Sequence, residues 1–151
     1  MDCTTKKIIA VLKQLSLIAE DGKNGYKKAA ENIKDINMQD LFIRFSCERA
    51  AYLGELQQLI INAGGTRDDH VDMPGSLHHI RIGFKSAVLL QNTHAVIYSC
   101  AVGESVAIKL YCAALGQKYI TGNVRSVLAG QLSCIQTAMQ IITSYGSVAV
   151  V

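Results

Sequence analysis

Glu104 is the sole acidic side chain between Met73 and Val151; the other acids all lie earlier in the chain. Helical spacing points it inward, on a stripe with Ile97, Ala101, Ile108, Tyr111 and Leu115. A carboxylate facing a core needs a partner, a proton or a metal, because burying an unpaired charge is costly. The same spacing puts Glu48 inward with Leu41, Phe45, Tyr52, Leu56, Leu59 and Ala63. It puts Gln131 inward with Val124, Leu128, Ile135, Ala138 and Ile142. Two carboxylates and one amide are thus expected to meet near the middle of three helices. Two chemistries follow. Glu48 and Glu104 share a proton, or bond to neighbouring hydroxyls and amides. Alternatively, Glu48, Glu104 and Cys134 hold a single weakly bound metal ion.

The remaining candidates are weaker. The segment from about 121 to 145 contains no Asp, Glu or His, so it offers a hard metal neither carboxylate nor imidazole. His78 and His79 are consecutive and diverge by about 100° on a helix. His70 sits among Asp68, Asp69 and Asp72 in a polar stretch that reads as a solvated loop, and His94 falls in a first helical turn. Tyr26, Tyr52 and Tyr111 read as core residues with a polar tip. Cys3, Cys47, Cys100, Cys112 and Cys134 form an odd set without a C-x-x-C pair, which argues against a disulfide framework or a zinc knuckle. They read as buried free thiols of a reducing cytoplasm, with thiol sensing through Cys47, Cys100 or Cys134 as a further option. No phosphate-binding glycine loop or nucleophile elbow occurs, and Gly22 and Gly25 read as points of close helix contact.

These side chains require helices to position them, and the apolar period is close to 3.6 almost throughout. Long helices are expected over about 4–34, 38–63, 93–115 and 121–145, with a shorter one over about 75–90. The first stripe runs Ile8, Leu12, Leu15, Ala19, Gly22, Tyr26, Ala29 and Ile33. Asn37 and Thr93 are the expected N-caps of the second and third long helices, and Gly64-Gly65 and Gly116 their stops. Short links make each pair of long helices antiparallel. The connection from Gly64 to Asn92 is much longer and can cross the whole bundle. The expected fold class is all-α, a single domain over residues 1–151: a ferritin-like four-helix bundle with a long crossover containing a short extra helix, the alternative being a simple up-down bundle with a decorated loop.

Composition narrows the function classes. Half the residues are hydrophobic, Trp is absent, Pro74 is the only proline, and the formal charge is +3. That charge is small and dispersed, which argues against nucleic acid. Lys13 and Gln14 interrupt the N-terminal apolar run, unlike a signal peptide. No stretch reads as an uninterrupted membrane span of about 20 apolar residues, so the expectation is a cytoplasmic protein without membrane or nucleic-acid partners. From Thr93 onward the only charged residues are Glu104, Lys109, Lys118 and Arg125. So few charges predict burial on more than one side, in a homodimer through the third and fourth long helices.

The run Ala19-Glu20-Asp21-Gly22-Lys23-Asn24-Gly25-Tyr26-Lys27-Lys28-Ala29-Ala30-Glu31 resembles the D-G-x-x-G-Y-x-x-A-A-E opening of an uncharacterised bacterial ferritin-like family, distantly related to rubrerythrin. Glu48-Arg49-Ala50, Glu55-Leu56, Gly64-Gly65, Gly75-Ser76-Leu77-His78, Gly103-Glu104 and Tyr111 continue the resemblance. It implies the bundle fold. It also implies metal-site ancestry for Glu48, Glu104 and Glu20, with Gln131 and Cys134 standing where an acid and a histidine are expected. The superfamily pattern needs a Glu-x-x-His on two helices. Here position 51 is Ala51 and position 134 is Cys134. The expected function is a non-catalytic interaction or stress-associated module with a degenerate metal site and no required cofactor. The alternative is an iron- or manganese-dependent oxidoreductase or metal-handling protein with a reduced carboxylate set.

Overall fold

The computed structural model describes residues 1–67 and 75–146, and all its regular structure is helical. The elements are α1 (Cys3–Glu31), α2 (Ile36–Asn62), α3 (Gly75–Leu89), α4 (Thr93–Leu115) and α5 (Gly122–Gly146). The acidic stretch around His70 and the tail beyond Gly146 lie outside the described residues.

Short polar side chains set the helix starts. The Asp2 carboxylate accepts from the Thr5 N–H at 2.6 Å, Asp35 from the Met38 N–H at 3.0 Å, and Asn92 from the Ala95 N–H at 3.1 Å. Each satisfies a backbone donor that a first turn leaves unpaired. The caps of α2 and α4 are therefore Asp35 and Asn92, not Asn37 and Thr93. α1 also stops at Glu31, short of Lys34. α2 ends as the paired glycines suggest: Gly64 takes φ +93, and the N–H groups of Gly64 and Gly65 return to the carbonyls of Ile61 and Ile60. At the α4–α5 turn, Arg125 donates to the carbonyls of Leu115 and Ile120, holding a cation at the C-terminus of α4.

α1 pairs most extensively with α2, and α4 with α5; α1 also meets α4, α2 meets α5, and α3 lies against α4 and α1. Two apolar clusters give the directions. One joins Leu12 and Leu15 of α1 to Leu56 and Leu59 of α2, Leu77 at the start of α3, Ala114 near the end of α4, and Leu128 of α5. The other joins Ala29, Phe42, Ala87, Val96 and Ile142, from the opposite ends of the same helices. Thus α1, α3 and α5 run one way and α2 and α4 the other. α3 spans from the first cluster to the second, so the crossover carries the chain from one end to the other.

Among the described residues, α4 alone is long and apolar enough to cross a membrane by length and composition, which the sequence reading did not anticipate. Its buried face, from Val96 and Ala101 to Tyr111 and Ala114, packs into both clusters.

Candidate functional site

The buried positions of α2 recur as Met38, Phe42, Phe45, Arg49, Tyr52, Leu56 and Leu59, in alternating steps of four and three. That is the rhythm of a core-facing helix, and it places a guanidinium in the middle. Arg49 is 3% exposed and Glu104 4% exposed. The Arg49 Nη2 donates to the Glu104 carboxylate in a buried ion pair linking α2 to α4. Glu48, expected inward, is only half-buried; Arg49 occupies the inward place and Glu48 acts on Glu104 as a nearby like charge. Phe45 plus three gives Glu48 and Phe45 plus four gives Arg49, and either step is helical. Continuing the alternation through Tyr52 and Leu56 selects Arg49, so the signal was present.

Three residues of α1 and α2, Gly22, Tyr26 and Tyr52, accommodate this guanidinium. Its carbon lies 5.7 Å from the Tyr26 ring centroid and 5.4 Å from that of Tyr52, within cation–π range of both faces. A Cβ on Gly22 would lie 3.2 Å from Cδ and Cγ of Arg49, so the missing side chain gives the Arg49 stem its room. Gly25 meets nothing within 4 Å and makes no such close contact. Lys23 and Ser46 join the same stretch, the Ser46 hydroxyl donating to the Lys23 carbonyl at 2.8 Å.

Gln131 does not join Glu104. It is buried near the first cluster, accepting from the Tyr111 hydroxyl at 2.6 Å, with its amide nitrogen 3.4 Å from the Tyr52 carbonyl and from Glu55. Ile135, one turn further along α5, lines the same cavity as Arg49 and Glu104. Cys134 is exposed, with its thiol beside the Tyr52 hydroxyl, and Glu20 is exposed on α1. The expectation of buried thiols holds for Cys100 alone; Cys3, Cys47, Cys112 and Cys134 lie on outward faces. Among the described residues, no three His, Cys, Asp or Glu side chains gather closely enough to hold one metal ion.

The electrostatics follow from burial. Desolvation pushes the Glu104 carboxyl up to about 7, against the pull of Arg49 and of the Tyr26 hydroxyl. Burial opposes the Arg49 charge, but Glu104 and the two tyrosines outweigh it and the guanidinium stays protonated beyond its ordinary range. Tyr26, Tyr52, Tyr111 and the Cys100 thiol are all pushed upward, chiefly by burial, so each stays neutral at physiological pH.

The pair also borders a cavity of about 780 Å³, bounded by α1, α3 and α4 and reaching inward to Arg49, Tyr52 and Ile135. Ile18, Leu77, Ile80, Phe84 and Ala107 supply apolar wall, and Lys27, Lys28 and Lys85 stand at exposed positions around it. Asp21 and Arg81 tie α1 to α3 beside it through two hydrogen bonds of 2.6 and 2.5 Å. Among the described residues, the Tyr26 hydroxyl and Arg49 Nη1 are buried without a hydrogen bond of normal geometry, although the hydroxyl lies near enough to Glu104 and Arg49 to favour their charged forms. Residue spacing gave no sign of this cavity, because it arises where the crossover helix leans over the α1–α4 groove.

Residues 7–117, which include α2, α3, α4 and nearly all of α1, match the family described as Domain of unknown function (DUF2383). The chain belongs to that family. The match contains Tyr26, Arg49 and Glu104 and stops before α5, so Gln131 and Cys134 lie beyond it. No curated protein matches the chain.

Proposed function

We propose that this chain is a non-catalytic, ferritin-like four-helix bundle whose central metal position has been replaced by an ion pair, and that it acts by binding. The fold reading rests on the antiparallel α1–α2 and α4–α5 pairs and on α3 running from one end to the other. The functional reading rests on one observation: the Glu104 carboxylate is held by the Arg49 guanidinium. A di-metal centre of this topology needs several inward carboxylates and two histidines. Here a fixed cation takes the carboxylate, Gln131 is committed to Tyr111 a turn away, and Cys134 faces outward. These residues do not fit a di-metal group. A metal ion near Glu104 would have to displace Arg49 and leave a guanidinium buried without its partner, which is strongly unfavourable.

The metal-dependent alternative, with Glu48, Glu104, Glu20, Gln131 and Cys134 as ligands, is tested by titrating the chain with Fe(II) or Mn(II) in a calorimeter. The proposal predicts no stoichiometric uptake that depends on Glu104; saturable uptake at one or two ions per chain, lost in Glu104→Ala, would overturn it. We also propose a homodimer through α4 and α5, supported by the few charges from Thr93 onward and by the exposed Tyr98 and Tyr145. Light scattering coupled to size exclusion at micromolar concentration should give twice the chain mass, and a stable monomer would contradict it.

A further inference from the structure

We infer that the cavity between α1, α3 and α4 binds an alkyl carboxylate, its headgroup on Arg49 Nη1 and the Tyr26 hydroxyl and its chain along α3. This inference rests on the reading above that the interior holds an ion pair and not a metal. A volume of about 780 Å³ is within the range of small-molecule sites, roughly 300–1,000 Å³. Tyr26 and Arg49 are more than nine-tenths buried and line the cavity, and the Tyr26 hydroxyl and Arg49 Nη1 make no hydrogen bond of normal geometry. A guanidinium N–H only donates, so the group that completes Arg49 must be an acceptor. Leaving such donors unsatisfied is costly, and a ligand oxygen removes that cost.

Charge separates a carboxylate from a neutral acceptor. Exposed Lys27, Lys28 and Lys85 border the cavity, opposed there by exposed Glu31 and, at its inner end, by the Glu104 carboxylate on the far side of Arg49. Asp21 is already held by Arg81. Such a basic rim raises the local concentration of anions. Arg49 itself presents donors in a planar fork, so one side can hold Glu104 while the other takes a second carboxylate. The Tyr26 hydroxyl has one proton to donate and turns it to the ligand in place of Glu104. The walls favour an alkyl chain over a sugar or nucleotide, because Leu77, Ile80 and Phe84 offer apolar surface.

The test is calorimetric titration of the full chain with decanoate, decanol and decylammonium, each below its aggregation limit. The same protein batch is assayed for bound iron and manganese. One decanoate per chain is expected, binding about tenfold or more tightly than decanol, with decylammonium weakest. Tyr26→Phe keeps the ring and removes the hydroxyl, and should weaken decanoate several-fold while leaving decanol unchanged. Arg49→Met combined with Glu104→Leu should abolish the preference for decanoate, with circular dichroism confirming the fold. Equal affinity for decanol, preference for decylammonium, no binding, or a decanoate site indifferent to Tyr26→Phe would each overturn the inference. If that batch is metal-free, such a failure leaves the ion-pair reading intact. Stoichiometric metal at Glu104 would overturn that reading itself.

Discussion

Removing one partner of the Arg49–Glu104 pair should be far more damaging than removing both. Glu104→Leu leaves a guanidinium at 3% exposure with no acceptor on Nη1 or Nη2. Arginine cannot escape by losing its proton, so the loss should be about 3–5 kcal/mol. In a domain of this size that corresponds to a fall of roughly 6–20 °C in Tm. Arg49→Met should cost less, about 1–3 kcal/mol, because the abandoned Glu104 can be neutralised by a proton. Its carboxyl already sits at about 7 with Arg49 present. The double variant Arg49→Met with Glu104→Leu removes both desolvation penalties and should lie within about 1 kcal/mol of the parent or above it. Urea unfolding of the four proteins at pH 7.5 gives the coupling energy directly. If the single losses simply add in the double variant, or if Glu104→Leu costs under about 1 kcal/mol, the pair is not the buried unit described.

Further expectations concern the same layer. The Glu104 carboxyl is raised in the folded chain, from an ordinary 4.5 to about 7, so the folded state holds the extra proton between those values. Its contribution is fully present below about 4.5 and is lost as pH rises through 7. Acidification from pH 8 to 5 should thus stabilise the parent through this group. Glu104→Gln should lack that component in paired urea titrations, and a parallel pH response in both proteins would count against it. Gly25→Ala should stabilise by about 0.5–1 kcal/mol by helix propensity alone, since an added methyl meets nothing there. Gly22→Ala should lose that gain and up to about 2 kcal/mol more, because its methyl presses on the Arg49 stem; equal Tm shifts for the two variants would refute this. Thiol labelling of the native chain should modify Cys3, Cys47, Cys112 and Cys134 quickly and spare Cys100, and rapid labelling of Cys100 would contradict its burial.

Much of the helix pattern was legible because apolar spacing alone locates long helices and their buried stripes. Glu104 was legible for the same reason, since it interrupts an apolar stripe with nothing charged nearby. Arg49 was less legible, because steps of three and four both satisfy a helix, and only the alternation carried on through Tyr52 and Leu56 separates it from Glu48. Gln131 meets Tyr111 and not Glu104, because the vertical offset of α5 against α4 depends on the turn through Ile120 and Gly122, not on either stripe. The cavity depends on how α3 leans across α1 and α4, a tertiary relation that no single-segment period encodes. Cap identities differed by one or two residues, the level at which neighbouring Asp and Asn residues compete for the same backbone donors.

In the proposed reading a guanidinium, and not a metal, completes the Glu104 site. Elemental analysis of the chain purified without chelator, alongside Glu104→Ala prepared identically, tests it most directly. Far less than one iron or manganese per chain is expected in both proteins. Near-stoichiometric metal in the parent that vanishes in Glu104→Ala would contradict it.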